Sequence, residues 1–276
     1  MSGGSLGGAS RESLAAARET LGTLARSADT DLGALGDDLF EVTALLDQEP
    51  ALRRALTDPA RSGEDRAALA RAVLGQQIGG AALDVMVWAV RARWSAARDL
   101  ADALELLGAE AHVAAAERAG RLDTVEDELF RTGRIVAGAP QLRSALADRS
   151  APVDNRVALI EDLLGDRVEA ETRRLVRQAV RAPRGRSFDR ILTDYAEVAA
   201  DRRARLVATV TATVPLTEEQ RRRLGAALAR IYGHDVHLNV EVDPEVVGGI
   251  RVEIGDEVID GTVVSRLDQA RRRLAG

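Results

Sequence analysis

Two adjacent glycines, Gly248 and Gly249, sit between β-branched runs in VVGGIRVEIGDEVIDGTV, residues 246–263. Such a pair either cradles a phosphate or turns a corner. A dinucleotide site needs a strand, then glycines, then a helix whose amino end meets the pyrophosphate. Here a second β-branched run follows instead, so Gly248, Gly249, Gly255, Asp256 and Gly261 read as structural turns, with no cofactor expected. Gly3-Gly4-Ser5-Leu6-Gly7 matches the nucleophile-elbow pattern, but that elbow needs a buried strand before the serine and only two residues precede this one. His234 and His237 would share a metal if they were helical; at a strand start they point to opposite faces, and no acid or thiol stands at ligand spacing. His112 stands alone. With no paired acids on rigid elements and no nucleophile beside a base, no catalytic or metal-ligating residue is expected.

The remaining candidate chemistry is electrostatic. Arg173, Arg174, Arg177, Arg181, Arg184, Arg186 and Arg190 stand against one acid, Asp189, within 18 residues. A basic helix and turn could follow a phosphate backbone, which makes an arginine-rich RNA-binding module the alternative reading. Aromatic residues total only 3% and acids flank the run, so a solvated face or a contact with an acidic protein partner is favoured, and no nucleic acid is expected. Arg173, Arg177, Arg181 and Arg186, with Val246 and Val247, are the candidate partner-binding residues.

Composition agrees. The 276 residues carry 38 basic and 44 acidic side chains, a formal charge of −6, so the chain as a whole is no polyanion binder. All the basic side chains are arginine, which removes Schiff-base and P-loop lysines, and the lack of cysteine removes disulfides and thiolate metal sites. The Gly- and Ser-rich start has no secretory pattern and reads as a frayed tail, and the most apolar stretch, 81–90, is interrupted by Asp84 and too short to cross a bilayer, so a cytoplasmic site is the default.

These residues must be positioned by helices first. Leu14, Ala17, Leu21 and Leu24 form one helical stripe and Leu35, Leu39, Val42 and Leu46 another. Pro50 and Pro140 suit first-turn positions, Ser62 with Asp65 resembles a capping box, and Gly75 and Gly165 fall where helices end. An internal repeat with an offset of 90 runs through this part: PALRRAL at 50–56 returns as PQLRSAL at 140–146, DDLF at 37–40 as DELF at 127–130, and AVRA at 89–92 as AVRA at 179–182. Over 37–75 and 127–165, 14 positions are identical, where composition alone gives roughly four. Two copies are too few for a solenoid, so each reads as a small helical bundle, 1–105 and 106–204. Pro183 and Gly185 break the second copy after AVRA, where the first is expected to run on through Arg93 and Trp94.

Near Arg205 the period changes to two. Ala208, Val210 and Ala212 alternate with Thr209 and Thr211; TEEQ at 217–220 caps a helix carrying Leu224, Leu228 and Ile231, closed by Gly233; 235–243 and 250–254 alternate again; Val263, Leu267, Ala270 and Leu274 form a last helix. The fold class is mainly α with a small α+β domain, βαββα, over 205–276.

The segments VDPEVVGGIRVEIGDEVIDGTVVSRLDQARRRL at 242–274 and GRSFDRILTDYAEVAADRRARLVATVTATVPLTEEQ at 185–220 resemble the delta subunit of bacterial F-type ATP synthase, the oligomycin-sensitivity-conferring family. The extra helical copy is similar to actinobacterial forms, and Arg184 stands where an asparagine often precedes the Gly-Arg pair. The resemblance implies a non-catalytic stator subunit in the peripheral stalk, at the cytoplasmic face of the cell membrane. It also implies the partners: alpha subunits of the catalytic head for the helical part, and the b subunit for the carboxyl-terminal domain.

Overall fold

The computed structural model describes residues 7–205, 207–232, 236–243, 249–255 and 257–260. Gly248, Asp256, Gly261, Val246 and Val247, the elbow-like Gly3–Leu6 stretch, His234, Gly233 and the expected last helix at 263–274 lie outside the described residues.

The helical part runs α1 (Gly8–Arg26), α2 (Leu32–Gln48), α3 (Pro50–Thr57), α4 (Gly63–Leu74), α5 (Gly80–Arg91), α6 (Ala97–Arg118), α7 (Leu122–Gly138), α8 (Pro140–Ala147), α9 (Val153–Leu164), α10 (Ala170–Arg181) and α11 (Phe188–Arg205). The duplication holds element by element. Helices α2 to α5 start at 32, 50, 63 and 80, and α7 to α10 start at 122, 140, 153 and 170, each pair with equal length. Local signals set these boundaries: Pro50 and Pro140 each occupy a first helical turn, Ser62 accepts from the Asp65 N–H, and Gly165 ends α9 at φ 54°. A tertiary cap repeats too. Asp38 of α2 accepts the Gly79 N–H ahead of α5, and Glu128 of α7 accepts the Glu169 N–H ahead of α10, placing an acid at each positive helix end.

The same offset carries α1 onto α6 and α6 onto α11. One helix therefore closes the first bundle and opens the second. α6 packs against α1, α2, α3 and α5 as well as α7 and α10, and its buried residues run from Leu100 to Ala116 around the helix. The expected boundary between bundles, 105/106, falls inside this shared helix, and residues 1–199 form one compact unit. The counterparts in α11 of Leu104, Leu107 and Ala111, which pack in the first core, are Asp194, Glu197 and Asp201. The first copy does not run on through Trp94: α5 ends at Arg91, as α10 ends at Arg181, although it has no proline there. Its stop is made by hydrogen bonds, with the Trp94 indole N–H donating to the Ala89 carbonyl and Ser10 accepting the Ser95 N–H.

The second unit, 200–276, contains β1 (Val207–Ala212), α12 (Glu218–Tyr232), β2 (His237–Val242), β3 (Ile250–Ile254) and β4 (Glu257–Asp260). The sheet order is β2-β1-β3-β4, with β1 and β2 parallel and the other pairs antiparallel. The parallel pair requires a crossover, which α12 provides. Thr217 and Gln220 bond each other's backbone N–H to start α12, so the TEEQ box forms as read. Ala208, Val210, Val252, Ile254 and Val236 bury one sheet face with Leu228 of α12. β4 adds a strand to the three expected: Ile254 pairs with Glu257, leaving a two-residue link that Gly255 enters at φ 56°.

Candidate functional site

Every arginine of the 173–190 run is paired inside the chain. Arg173 reaches the Gly165 carbonyl at 2.6 Å and Asp166 at 3.6 Å; Arg174 bridges Asp37 and Glu171; Arg177 meets Glu161 at 2.7 Å and Arg181 meets Asp154 at 3.7 Å. Arg190 meets Asp194 at 2.8 Å, and Arg186 bridges Asp194 and Glu105. The matching carboxylates come from α2, α6, α9, α10, α11 and the turn after α9, so the run is neutralised by its own fold. A phosphate backbone would have to displace acids already in place. Of the four arginines named as partner-binding candidates, Arg177 and Arg181 keep the most exposed side chains, and Arg186 is mostly covered.

The tightest of these pairings converge on Glu105, a lone acid in the apolar stripe of α6. Its carboxylate accepts from Arg184 Nη1 at 2.9 Å, from Arg186 Nη2 and from the Tyr195 hydroxyl at 3.2 Å. Burial pushes the Tyr195 hydroxyl well above its ordinary range, and the Glu105 charge pushes it further, so the phenol stays a neutral donor. Burial opposes the charge on Arg186, and Glu105 outweighs that and raises it. Burial raises Asp102, with Arg184 and then Arg98 pulling the other way.

His112, fully buried, marks a second junction. Its Nδ1 lies 2.6 Å from Glu171 of α10 and its Nε2 lies 3.5 Å from Asp37 of α2, with the Phe40 ring centroid 5.2 Å away. The approach is allowed by glycines: a Cβ on Gly36 would sit 2.6 Å from His112 Nε2, and one on Gly108 would sit 2.7 Å from Phe40 Cε1. Among the described residues no group of three or more His, Cys, Asp or Glu is placed to hold a metal, and no helix is long and apolar enough to cross a membrane.

Of the turn candidates that are described, Gly249 has φ 88° just before β3 and Gly255 has φ 56° just after it, both in the left-handed region that favours glycine. Gly249 thus leads into a strand, and no helix amino end follows it.

Exposed apolar side chains were not singled out by the sequence. Within 1–199 the large ones among the described residues are Phe130 and Ile135 on α7 and Val153, Leu159 and Leu163 on α9. All belong to the second copy. Phe130 is 58% exposed while its counterpart Phe40 is 6% exposed, and the counterparts Leu45, Leu69 and Val73 pack against the first core. A signal existed one helix away: Gly108 and His112, which admit Phe40, become Val198 and Arg202.

Known proteins match this chain along its length. The model of the ATP synthase delta (OSCP) subunit matches residues 108–274, which cover the second copy and the α+β unit. An ATP synthase subunit delta from Streptomyces coelicolor is 56% identical over 268 residues, 97% of this chain and 98% of that protein. One from Kineococcus radiotolerans is 50% identical over the whole of both chains, and one from Acidothermus cellulolyticus is 52% identical over 97% of this chain and 99% of its own. The chain belongs to the ATP synthase delta (OSCP) subunit family and is a non-catalytic subunit of the peripheral stalk of F-type ATP synthase, a membrane-bound complex.

Proposed function

We propose that the chain ties the catalytic head to the b-subunit stalk at the cytoplasmic face of the membrane, with the copy at 106–204 gripping amino-terminal helices of the alpha subunits and the domain at 205–276 holding the b subunit. The carrying observation is that, among the described residues of the helical unit, the large exposed apolar side chains all lie on α7 and α9. Exposed apolar surface of this kind marks a place where a partner packs, and an amphipathic helix laid in a groove is the usual way a bundle takes one. The family match supports the same copy, since it begins at residue 108 and leaves the first copy out. Two attachment points on compact units resist torque better than one, because each contact holds the other at high local concentration.

Co-purification from the assembled complex tests this. Replacing Phe130 and Leu163 together with aspartate should release the head while leaving b-subunit binding intact, and a chain ending at residue 204 should do the reverse. Undiminished head binding in the first variant would sink the assignment of the second copy. The turn residues Gly248, Gly249, Gly255, Asp256 and Gly261 serve this role only by shaping the α+β domain. Val246 and Val247, with the more exposed Arg177 and Arg181, remain proposed contacts.

A further inference from the structure

Arg184 combines three features that ordinary surface arginines lack. Its backbone has φ 48°, the single positive value outside glycine among the described residues. Its guanidinium is only 5% exposed. And it reaches three carboxylates at once: Asp47 at 2.8 Å, Asp102 at 2.6 Å and Glu105 at 2.9 Å, with the Ala101 carbonyl at 3.2 Å. Arg184 follows α10 and belongs to the second copy. Its partners sit on α2, in the first copy, and on the first half of α6, the helix that both bundles share.

The duplicated unit supplies its own control. The position matching Arg184 in the first copy is Trp94, whose indole packs against the first core and donates to the carbonyl of Ala89 in the preceding helix. So this corner is closed within the copy in one case and reaches across to the neighbouring copy in the other. A left-handed conformation is strained for an L-residue that carries a Cβ, and strain of that kind persists only where the surroundings over-determine it. Here the surroundings are two acids of the shared helix α6 and a third, Asp47, that the extra copy supplies.

We propose that Arg184 is a positioning residue that pins the extra helical copy to the second, so that both move as one body in the stalk. Without the pin, α7 to α11 would hold to the first copy through α6, the His112 junction and the Arg174–Asp37 bridge beside it. The first bundle, whose core already includes α6 as far as Ala114, would stay closed. The inference does not depend on which copy grips the head.

Native-state hydrogen exchange on the full chain tests it, with Arg184→Asn as the variant because asparagine tolerates the left-handed conformation. In the native chain the protected amides of α4, α5, α9 and α10 should share one opening level. In the variant the buried Glu105 and the partly exposed Asp47 and Asp102 lose their common partner, and amides of α9 and α10 should exchange at least about 100-fold faster while those of α4 and α5 keep their rates. Arg184→Lys, which keeps the charge but cannot fork to three acids, should give the same selective pattern at smaller size, and it carries the test if the asparagine variant does not fold. Adding Asp102→Asn to Arg184→Asn should restore part of the protection. Equal acceleration in both bundles, or none in either, would overturn the pin.

Discussion

Tyr195 and Glu105 stand 90 residues apart, at matching positions of the two copies, and they bond to each other. The phenol of one copy thus satisfies the acid of the other. Replacing Tyr195 with phenylalanine removes a neutral donor from a buried carboxylate and should cost about 1.5–3 kcal/mol, read as a lower urea midpoint at unchanged slope. Asp102 behaves differently. Its carboxyl is raised because burial disfavours the charge more than Arg184 and Arg98 favour it. A raised acid contributes stability that is present below its ordinary value and lost as pH rises through the folded one. Asp102→Asn should therefore stabilise the chain relative to the native protein near pH 7, and the gain should vanish near pH 4. A gain that grows toward pH 4 would contradict the burial term. Ion pairs at this junction thus fix how the copies meet and add little to net stability, as buried pairs often do.

At the scale of elements, one residue type in two copies separates packing from presentation. Phe40→Ala should cost about 3–5 kcal/mol because it empties a closed pocket, whereas Phe130→Ala should stay within about 0.5 kcal/mol in the isolated chain. Thermal melts of both variants decide this; equal losses would mean that Phe130 is packed after all. The helices themselves were legible, because Pro50, Pro140, the Ser62 cap and the 217–220 box act within a single turn, and the repeat declared itself through identities at a fixed offset. The shared use of α6 was not legible. Its stripe reads like that of any helix buried on two sides, and no local signal says which bundles do the burying. Part of the pairing of the arginine run was hidden for a similar reason, since Asp37, Asp47, Asp102 and Glu105 lie on α2 and α6, far away in sequence. The fourth strand was missed because EVID is only four residues, and its identity as a strand rests on pairing with β3 across the link at Gly255. Gly255→Val puts a β-branched residue at φ 56° and should cost upwards of about 1–2 kcal/mol, visible as loss of exchange protection in β3 and β4.

For the whole molecule, the relevant question is how many bodies the stalk subunit contributes. The helical unit has a core built around α6, and the α+β unit has its own core between sheet and α12. α11 runs from Phe188 to Arg205 across the boundary near residue 199, so a single continuous helix joins them in sequence. Separate cores unfold separately unless an interface couples them. Scanning calorimetry of the full chain should accordingly show two transitions, with enthalpies near 60 °C of about 140 kcal/mol for 1–199 and about 50 kcal/mol for 200–276 on the usual per-residue scale. Three transitions would mean that the helical copies are beads on a string, against the shared helix. One transition would mean that the two units share their stability, and the torque would then pass through a single rigid piece. With two, the helical copies act as one rigid grip, and whatever compliance the subunit adds to the stalk must reside at or beyond α11. That location makes a further difference measurable: a glycine pair placed at Ala200 and Asp201, beyond the buried Ala199, should leave the larger transition in place while weakening the coupling of rotation to synthesis in the assembled enzyme.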